Sequence, residues 1–322
     1  MPPDPINQSS NKPTPSHLFD EPFLRKLDRL AILSRRAMAG QLQGERRSPK
    51  RGQSVEFADF RPYTPGDDFR RIDWNAYARL ERFFIKLFVE EEDLTVHLLL
   101  DASQSMDWGE PNKLQYAMRV AGALGYIALA GLDRVTVTAL GSADAHLSPA
   151  SSNAQLAPAS SNAQLSPRRG KQQAWALFTF LQNIKAVGVT NLAANLRTYA
   201  AAARRPGPLL LLSDLMDDGW ADGLNALAAK GFEVTVLHLL APQEVDPQLA
   251  GDLKLLDAET ASAVEITADF DLLARYRQYL RDWQAEVSRF CSARAMHYIP
   301  VETSILFEEL LFAILRRRGV LV

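Results

Sequence analysis

The stretch that decides the fold runs from Leu94 to Met106 and reads Leu-Thr-Val-His-Leu-Leu-Leu-Asp-Ala-Ser-Gln-Ser-Met. Its first seven residues are mostly apolar, which is typical of a strand buried on both faces of a parallel sheet. A carboxylate and two hydroxyls follow at alternate positions, namely Asp101, Ser103 and Ser105. Oxygen ligands at the carboxyl end of a parallel strand suit a hard divalent cation, so the pattern predicts part of a metal site.

Strands and helices alternate along the rest of the chain, which indicates a parallel sheet covered on both faces. We predict an α/β fold with a doubly wound, mostly parallel, Rossmann-like sheet and a small amino-terminal extension. The apolar periodicity places strands at 95–100, 134–140, 209–212, 233–240 and 296–301. A hairpin is predicted at 253–256 and 263–267, and the segments between the main strands are predicted to be helical.

Two later residues can complete the oxygen set. Thr190 lies between two helical stretches, and Asp214 follows the buried run 209–212. An alternative is that Asp101 and the serines only cap the following helix, but one such residue is enough for a cap. The full order, Asp-x-Ser-x-Ser, then Thr, then a strand-end Asp, resembles the metal-ion-dependent adhesion site of von Willebrand factor type A domains. That resemblance implies Mg²⁺ or Mn²⁺ bound by the hydroxyls, with both carboxylates contributing directly or through water.

Composition excludes several classes of protein. The chain has 322 residues, an ordinary share of apolar residues at 47%, and a net charge of −2, so nothing global indicates binding to nucleic acid. Its single cysteine, Cys291, cannot form an internal disulfide. Because no apolar run is long enough to span a bilayer and the first residues lack a signal pattern, we expect a cytoplasmic protein that reaches the inner membrane only through partners.

The domain organisation follows from shifts in composition. Residues 1–18 are rich in Pro, Ser and Asn and are predicted to be a disordered tail. Residues 19–93 are expected to form a helix and a charged, aromatic segment packed on the main domain, which spans 94–318. Within that domain, Pro-Ala-Ser-Ser-Asn-Ala-Gln-Leu occurs twice, starting at Pro149 and at Pro158. We predict that about 142–170 is a mobile insertion carrying this tandem duplication.

The segment from residue 66 to residue 79 is unusually dense in opposite charges and aromatic rings. We predict that Asp67, Asp68 and Asp73 pair with nearby arginines as a structural clamp, and the alternative is that this segment is a surface for a partner. The motif comprises Gly66, Asp67, Asp68, Arg70, Asp73, Trp74, Asn75 and Arg79. Followed by the Asp101 motif, it resembles the bacterial family called domain of unknown function 58, which is similar to von Willebrand factor type A proteins.

The resemblance implies a function. Members of that family are often encoded beside MoxR-type AAA+ ATPases, which implies an adaptor that assists assembly or maturation of other proteins. An acidic residue of the ATPase would dock on the bound metal, and the protein would not be an enzyme. Met106, Trp108, Met216 and Trp220 flank the predicted site. They are either partner anchors or a cover for the sheet edge.

The alternative function is a Mg²⁺-dependent hydrolase of the haloacid-dehalogenase-like phosphatase class. Such enzymes also carry an Asp after a buried strand, but they need a second Asp two residues later as acid and base. That position is Ser103 here. The sequence also lacks a phosphate-binding Gly-x-x-x-x-Gly-Lys-Ser/Thr loop.

Overall fold

The computed structural model describes residues 25, 27, 30, 55–64, 67, 69, 72–90, 94–141, 163–186, 191–256 and 263–321. The chain divides into two compact units, residues 33–94 and residues 1–32 together with 95–322. The predicted tail at 1–18 lies outside the described residues. The expected division grouped residues 19–93 together, but residues up to 32 belong to the larger unit. Leu27 and Leu30 are buried in the core of that unit.

The smaller unit is built on two antiparallel strands, β1 (Val55–Pro62) and β2 (Phe84–Glu90). A register shift between Phe57 and Asp59 interrupts their pairing. Between the strands lies a short helix, α1 (Trp74–Leu80), which begins after its N-cap residue Asp73. The apolar run 83–88 predicts a strand from the sequence alone, which β2 confirms, whereas the sequence does not indicate β1 or α1.

The larger unit contains a six-stranded sheet and two layers of helices. Its elements in chain order are β3 (Thr95–Asp101), α2 (Lys113–Ala130), β4 (Arg134–Leu140), β5 (Ala163–Arg169), α3 (Ala174–Gln182), α4 (Leu192–Ala202), β6 (Pro208–Ser213), α5 (Trp220–Lys230), β7 (Glu233–Leu240), α6 (Pro242–Val245), β8 (Gly251–Leu256), β9 (Ala263–Ala268), α7 (Phe270–Ser292), β10 (His297–Glu302) and α8 (Phe307–Glu309), which continues as a π-helical stretch, Leu310–Leu315. The hairpin of β8 and β9 forms a separate two-stranded sheet.

The strand order of the main sheet is β10-β7-β6-β3-β4-β5, and every neighbouring pair is parallel except β4 and β5. The prediction of an α/β fold with a mostly parallel sheet is therefore confirmed. Alternate residues of β3 point to opposite cores: Leu98 and Leu100 pack with α2 and α3, whereas Leu99 packs with α4 and α5. Among the described residues, no helix has the length and apolar character needed to cross a membrane.

The connection order creates a crevice at the carboxyl edge of this sheet. The chain runs from β3 outwards to β4 on one side, then returns to place β6 on the other side of β3. Helices therefore leave the two adjacent strands in opposite directions, and the crevice between them is where open α/β sheets bind ligands. Asp101 ends β3 and Asp214 directly follows β6, so the fold brings these two residues to the same place.

One part of the predicted insertion is wrong. Residues 163–169 form β5, an antiparallel edge strand on β4, rather than part of a mobile loop. Ala163 and Leu165, the end of the second sequence copy, alternate with exposed residues and are buried in the core beneath α3. Residues 142–162 lie outside the described part of the chain.

Candidate metal centre at the carboxyl edge of the sheet

The two serine hydroxyls lie side by side above the end of β3. A backbone hydrogen bond from Ala102 to Leu140 continues the sheet past Asp101, and the chain then turns through a short 3₁₀ helix, Gln104–Met106. The Ser103 amide donates to Asp101 Oδ1 at 3.0 Å. This turn places the Oγ atoms of Ser103 and Ser105 2.9 Å apart. Ser103 is buried and Ser105 is half-buried.

Asp101 is held from the other side by the end of β6. Ser213 Oγ donates to Asp101 Oδ2 at 2.6 Å and accepts from the Leu215 amide at 2.9 Å. Burial raises the pKa of the Asp101 carboxyl to about 6, and the negative charge of Asp214 adds to the rise, while hydrogen bonds from Ser213 and Ser103 oppose it. Two buried carboxylates thus lie close enough to repel each other.

Asp214 is paired with Lys113, which from the sequence alone is only the polar residue that begins a long apolar helix. Lys113 Nζ lies 2.8 Å from Asp214 Oδ2 and 2.6 Å from Glu244 Oε1. The Lys113 side chain is fully buried. Burial lowers the pKa of the Lys113 ammonium, but the charges of Asp214 and Glu244 outweigh this effect and raise it above its usual value. A charged lysine is therefore part of the site.

A histidine fixes the backbone of the same turn. His238 Nε2 lies 2.9 Å from the Asp214 carbonyl oxygen, and its Nδ1 lies 2.7 Å from the Tyr298 hydroxyl. Burial lowers the pKa of His238 to about 4, so the ring is neutral near pH 7. A carbonyl can only accept, so Nε2 carries the proton and Nδ1 accepts from Tyr298. Leu215 follows with a φ of 55°, a left-handed conformation that is uncommon for a bulky residue and occurs often at functional sites.

Thr190, the remaining predicted ligand, lies outside the described residues. The chain just after it is tied to the end of β6, because the Leu192 amide donates to Asp217 Oδ2 at 2.8 Å. Asp217 Oδ1 accepts from the Gly219 amide at 2.6 Å. Asp217 therefore joins the start of α4 to the turn that carries Asp214. Asp217 is not among the site residues predicted from the sequence.

The four flanking residues separate into two kinds. Met106 and Trp220 are buried in the two cores and so cover the sheet edge. Trp108 and Met216 are 44% and 46% exposed, so only these two remain available as partner anchors.

The oxygen atoms fit a small divalent cation in spacing and in charge. Two neighbouring ligands of octahedral Mg²⁺, each about 2.0–2.1 Å from the metal, lie about 2.9 Å apart, which is the distance between the two serine Oγ atoms. The same distance suits the hydrogen bond that the hydroxyls form without metal. When ionised, the three carboxylates and one ammonium listed next leave a net charge of −2: Asp101, Asp214, Glu244 and Lys113. Among the described residues, no group of three His, Cys, Asp or Glu side chains is arranged for a metal, so any such site depends on the hydroxyls.

The described residues of the segment from residue 66 to residue 79 belong to the smaller unit. Asp67 accepts hydrogen bonds from the Thr64 amide and hydroxyl and from Arg61, and these bonds lower the pKa of its carboxyl to about 2. The predicted pairing of Asp67 with an arginine is thus confirmed for Arg61, at 2.8 Å. Asp73 caps α1, accepting from the amides of Asn75 and Ala76 at 2.9 and 3.2 Å.

The other members of that motif are distributed differently. Gly66, Asp68 and Arg70 lie outside the described residues, and Arg79 is exposed. Trp74 is 60% exposed and packs edge-on against Phe83 with ring centroids 6.3 Å apart.

Comparison with known proteins gives relatives that are described as uncharacterized. The uncharacterized protein Rv1480 of Mycobacterium tuberculosis (strain ATCC 25618 / H37Rv) is 26% identical over 313 residues, which cover 94% of this chain and 93% of the relative. The uncharacterized protein MAV169 of Mycobacterium avium is 33% identical over 100 residues, which cover 30% of this chain and 59% of the relative.

Among solved structures, the chain is similar to the conserved hypothetical protein BatB from Bacteroides thetaiotaomicron, with 14% identity and a TM-score of 0.37 over 67% of this chain and 97% of that one. A TM-score this low supports no conclusion about fold or function. The model of the family described as "Protein of unknown function DUF58" matches residues 59–286, which is more than half of the chain and includes Asp67, Asp101 and Asp214. The chain therefore belongs to the DUF58 family.

Proposed function

We propose that the protein is a metal-ion-dependent adaptor that binds another protein through Mg²⁺ or Mn²⁺ at the carboxyl edge of its sheet. The main support is the pair of hydroxyl oxygens, Ser103 Oγ and Ser105 Oγ, 2.9 Å apart beside the buried Asp101. Ser103, Ser105 and Thr190 would be the direct ligands, with Asp101 and Asp214 contributing directly or through water. The order of these residues is similar to the adhesion site of von Willebrand factor type A domains.

Charge gives a second support. A buried site with an excess of two negative charges is unfavourable, because each ion loses hydration that the protein does not replace. A divalent cation would neutralise that excess. The neutral hydroxyls leave the metal with positive character, so an acidic side chain of a partner can replace one bound water.

A binding role explains the surroundings of Asp101 better than hydrolysis does. Each Asp101 oxygen already accepts a hydrogen bond, one from Ser103 N–H and one from the Ser213 hydroxyl. These bonds fix the carboxylate, and a phosphatase nucleophile would also need an acid/base group two residues later, where Ser103 stands. The family resemblance suggests a MoxR-type AAA+ ATPase as the partner.

The first experiment measures metal-linked stability. At a hundredfold excess over Kd, a ligand that binds only the folded state adds about 2.7 kcal/mol, which corresponds to a rise in Tm of roughly 5–10 °C for a domain of this size. We expect Mg²⁺ or Mn²⁺ to produce such a rise in the wild type and not in Ser103→Ala or Asp101→Asn. Asp271→Asn, which alters a carboxylate in the first turn of α7, is the matched control. Equal rises in all four proteins would refute the metal site.

The second experiment tests the partner. The MoxR-type ATPase of the same organism should bind the full chain in Mg²⁺ and not in EDTA, and Ser103→Ala should abolish binding. Deletion of residues 149–157 removes one sequence copy, keeps all of β5 (Ala163–Arg169), and should not affect binding. Binding that persists in EDTA and in Ser103→Ala would show that the partner docks elsewhere.

A further inference from the structure

Lys113 is a second, built-in cation beside the candidate metal centre. It occupies the first position of α2, where the positive end of the helix dipole disfavours a cation. Its side chain is nevertheless fully buried and its ammonium contacts two carboxylates, Asp214 and Glu244. Lys113 and Asp214 are 101 residues apart in the chain, so the pairing is a product of the fold.

The contacts of Lys113 determine how Asp214 can act. Asp214 Oδ2 lies 2.8 Å from the ammonium, and Asp214 Oδ1 accepts from the Met216 amide at 3.2 Å. Both carboxylate oxygens are therefore held by donors. Each oxygen keeps a second lone pair, but the charged ammonium on Oδ2 competes with a metal for this carboxylate, so Lys113 favours contact between Asp214 and a metal through a water molecule.

Glu244 fixes the lysine from the other side. Its Oε1 lies 2.6 Å from Lys113 Nζ, and its Oε2 accepts from the Ala241 amide at 2.7 Å at the start of α6. A second anchor holds α6 itself, because the Tyr276 hydroxyl of α7 donates to the Glu244 carbonyl at 2.7 Å. The ammonium thus has a fixed place between two carboxylates.

Resting on the proposed metal-binding function, we infer that Lys113 is a positioning residue that weakens metal binding in the free protein by holding Asp214 outside the first coordination shell. The metal then lacks one negative ligand. An acidic side chain of the partner supplies that ligand, so the affinity for metal and the affinity for partner depend on each other.

Two substitutions are expected to change metal affinity in opposite directions. Lys113→Met removes the ammonium, makes the site more negative and frees Asp214, so the metal should bind at least tenfold more tightly. Glu244→Gln removes one negative charge and leaves the ammonium to Asp214 alone, so the metal should bind more weakly. A purely structural role for Lys113 predicts that both variants bind less metal, because both loosen the site.

The test uses the full chain and Mn²⁺ alone as the probe. Free Mn²⁺ is followed by electron paramagnetic resonance, which gives the Kd, and water proton relaxation gives the number of waters on the bound ion. Lys113→Met should show a lower Kd and about one fewer bound water, since Asp214 takes a water position. Circular dichroism checks that each variant is folded before titration.

A further variant covers the case in which Lys113→Met fails to fold. Lys113→Met/Glu244→Gln keeps the net charge of the wild-type site but frees Asp214, so it should also bind Mn²⁺ more tightly than Glu244→Gln and with one fewer water than the wild type. Unchanged or weaker binding by both Met variants, with normal binding by the wild type, would overturn this inference and leave the proposed function intact. Binding that appears only after Lys113 is removed would uphold the inference and would contradict the metal-linked stability that the proposed function expects for the free wild-type protein. Binding by none of the proteins would overturn both.

Discussion

Lys113→Met in metal-free protein gives the sharpest test of the buried charges. The substitution keeps an unbranched side chain of similar length, so it removes the charge without opening a large cavity. Asp214 and Glu244, which flank the ammonium at 2.8 and 2.6 Å, then lose their shared cation. The site retains three carboxylates, counting Asp101, and no compensating ammonium.

The expected loss of stability in Lys113→Met follows from the burial of the ion pair. Asp214 is 1% exposed and Lys113 is 0% exposed, so water cannot replace the lost partner. Breaking a buried pair by removing one member costs about 3–5 kcal/mol. For a domain of this size, each kcal/mol lowers Tm by roughly 2–4 °C. We therefore expect Tm to fall by roughly 6–20 °C in EDTA.

The assay is urea unfolding of both proteins in EDTA at pH 7, followed by circular dichroism and tryptophan fluorescence. Adding Glu244→Gln should recover part of the loss, because one of the two orphaned carboxylates is then neutral. Arg197→Met is the matched control, since the Arg197–Asp222 pair is equally short at 2.8 Å but both side chains are more than half exposed. A loss below 1 kcal/mol for Lys113→Met, or a loss equal to that of Arg197→Met, would refute the description of a buried, charged cluster.

Three further perturbations test other parts of the fold. Burial lowers the pKa of His97 to about 4, so the stability that its neutral ring contributes is complete above pH 6.5 and is lost as the pH falls towards 4. In urea unfolding, the wild type should therefore lose about 2 kcal/mol between pH 7 and pH 5 relative to His97→Asn. Gly125→Ala should lower the free energy of unfolding, because the new Cβ would lie 2.6 Å from Leu177 Cδ2. The cost of overpacking, about 1–3 kcal/mol, outweighs the gain in helix propensity of about 1 kcal/mol. In a Leu177→Ala background, where this contact is absent, the same change should be stabilising. Asp73→Ala should cost at least about 1 kcal/mol through loss of the α1 cap, and unchanged stability would contradict the cap.

The strongly apolar strands could be predicted from the sequence because each is buried on both faces. The run ending at Leu100 and the run 209–212 have no polar side chain in their interiors apart from His97, and both are central strands. The weaker strand β5 could not be predicted, because only Ala163 and Leu165 face the core and the rest of the strand is polar and exposed. β5 forms because it pairs with the edge of β4, and this long-range pairing cannot be recognised from a short stretch of sequence.

Only those residues of the candidate site that come directly after an apolar strand could be predicted from the sequence. Asp101, Ser103, Ser105 and Asp214 were recognisable because each follows an apolar run or alternates with its neighbours. The role of Lys113 was not recognisable, since a lysine at the start of a helix ordinarily faces water. Three-dimensional pairing with Asp214 and Glu244 decides its burial and its charge.

Stability and the proposed metal binding make opposite demands on this cluster. Lys113 stabilises the metal-free protein because it neutralises buried carboxylates, and the same ammonium opposes a bound cation because it holds Asp214 and adds positive charge. Replacing a buried ionic cluster with apolar residues often stabilises a protein, so burial of four ionisable groups is not explained by stability alone. If the cluster serves metal binding, Lys113→Met should lower the free energy of unfolding in EDTA and raise the affinity for Mn²⁺. If the cluster is only structural, stability and affinity should fall together.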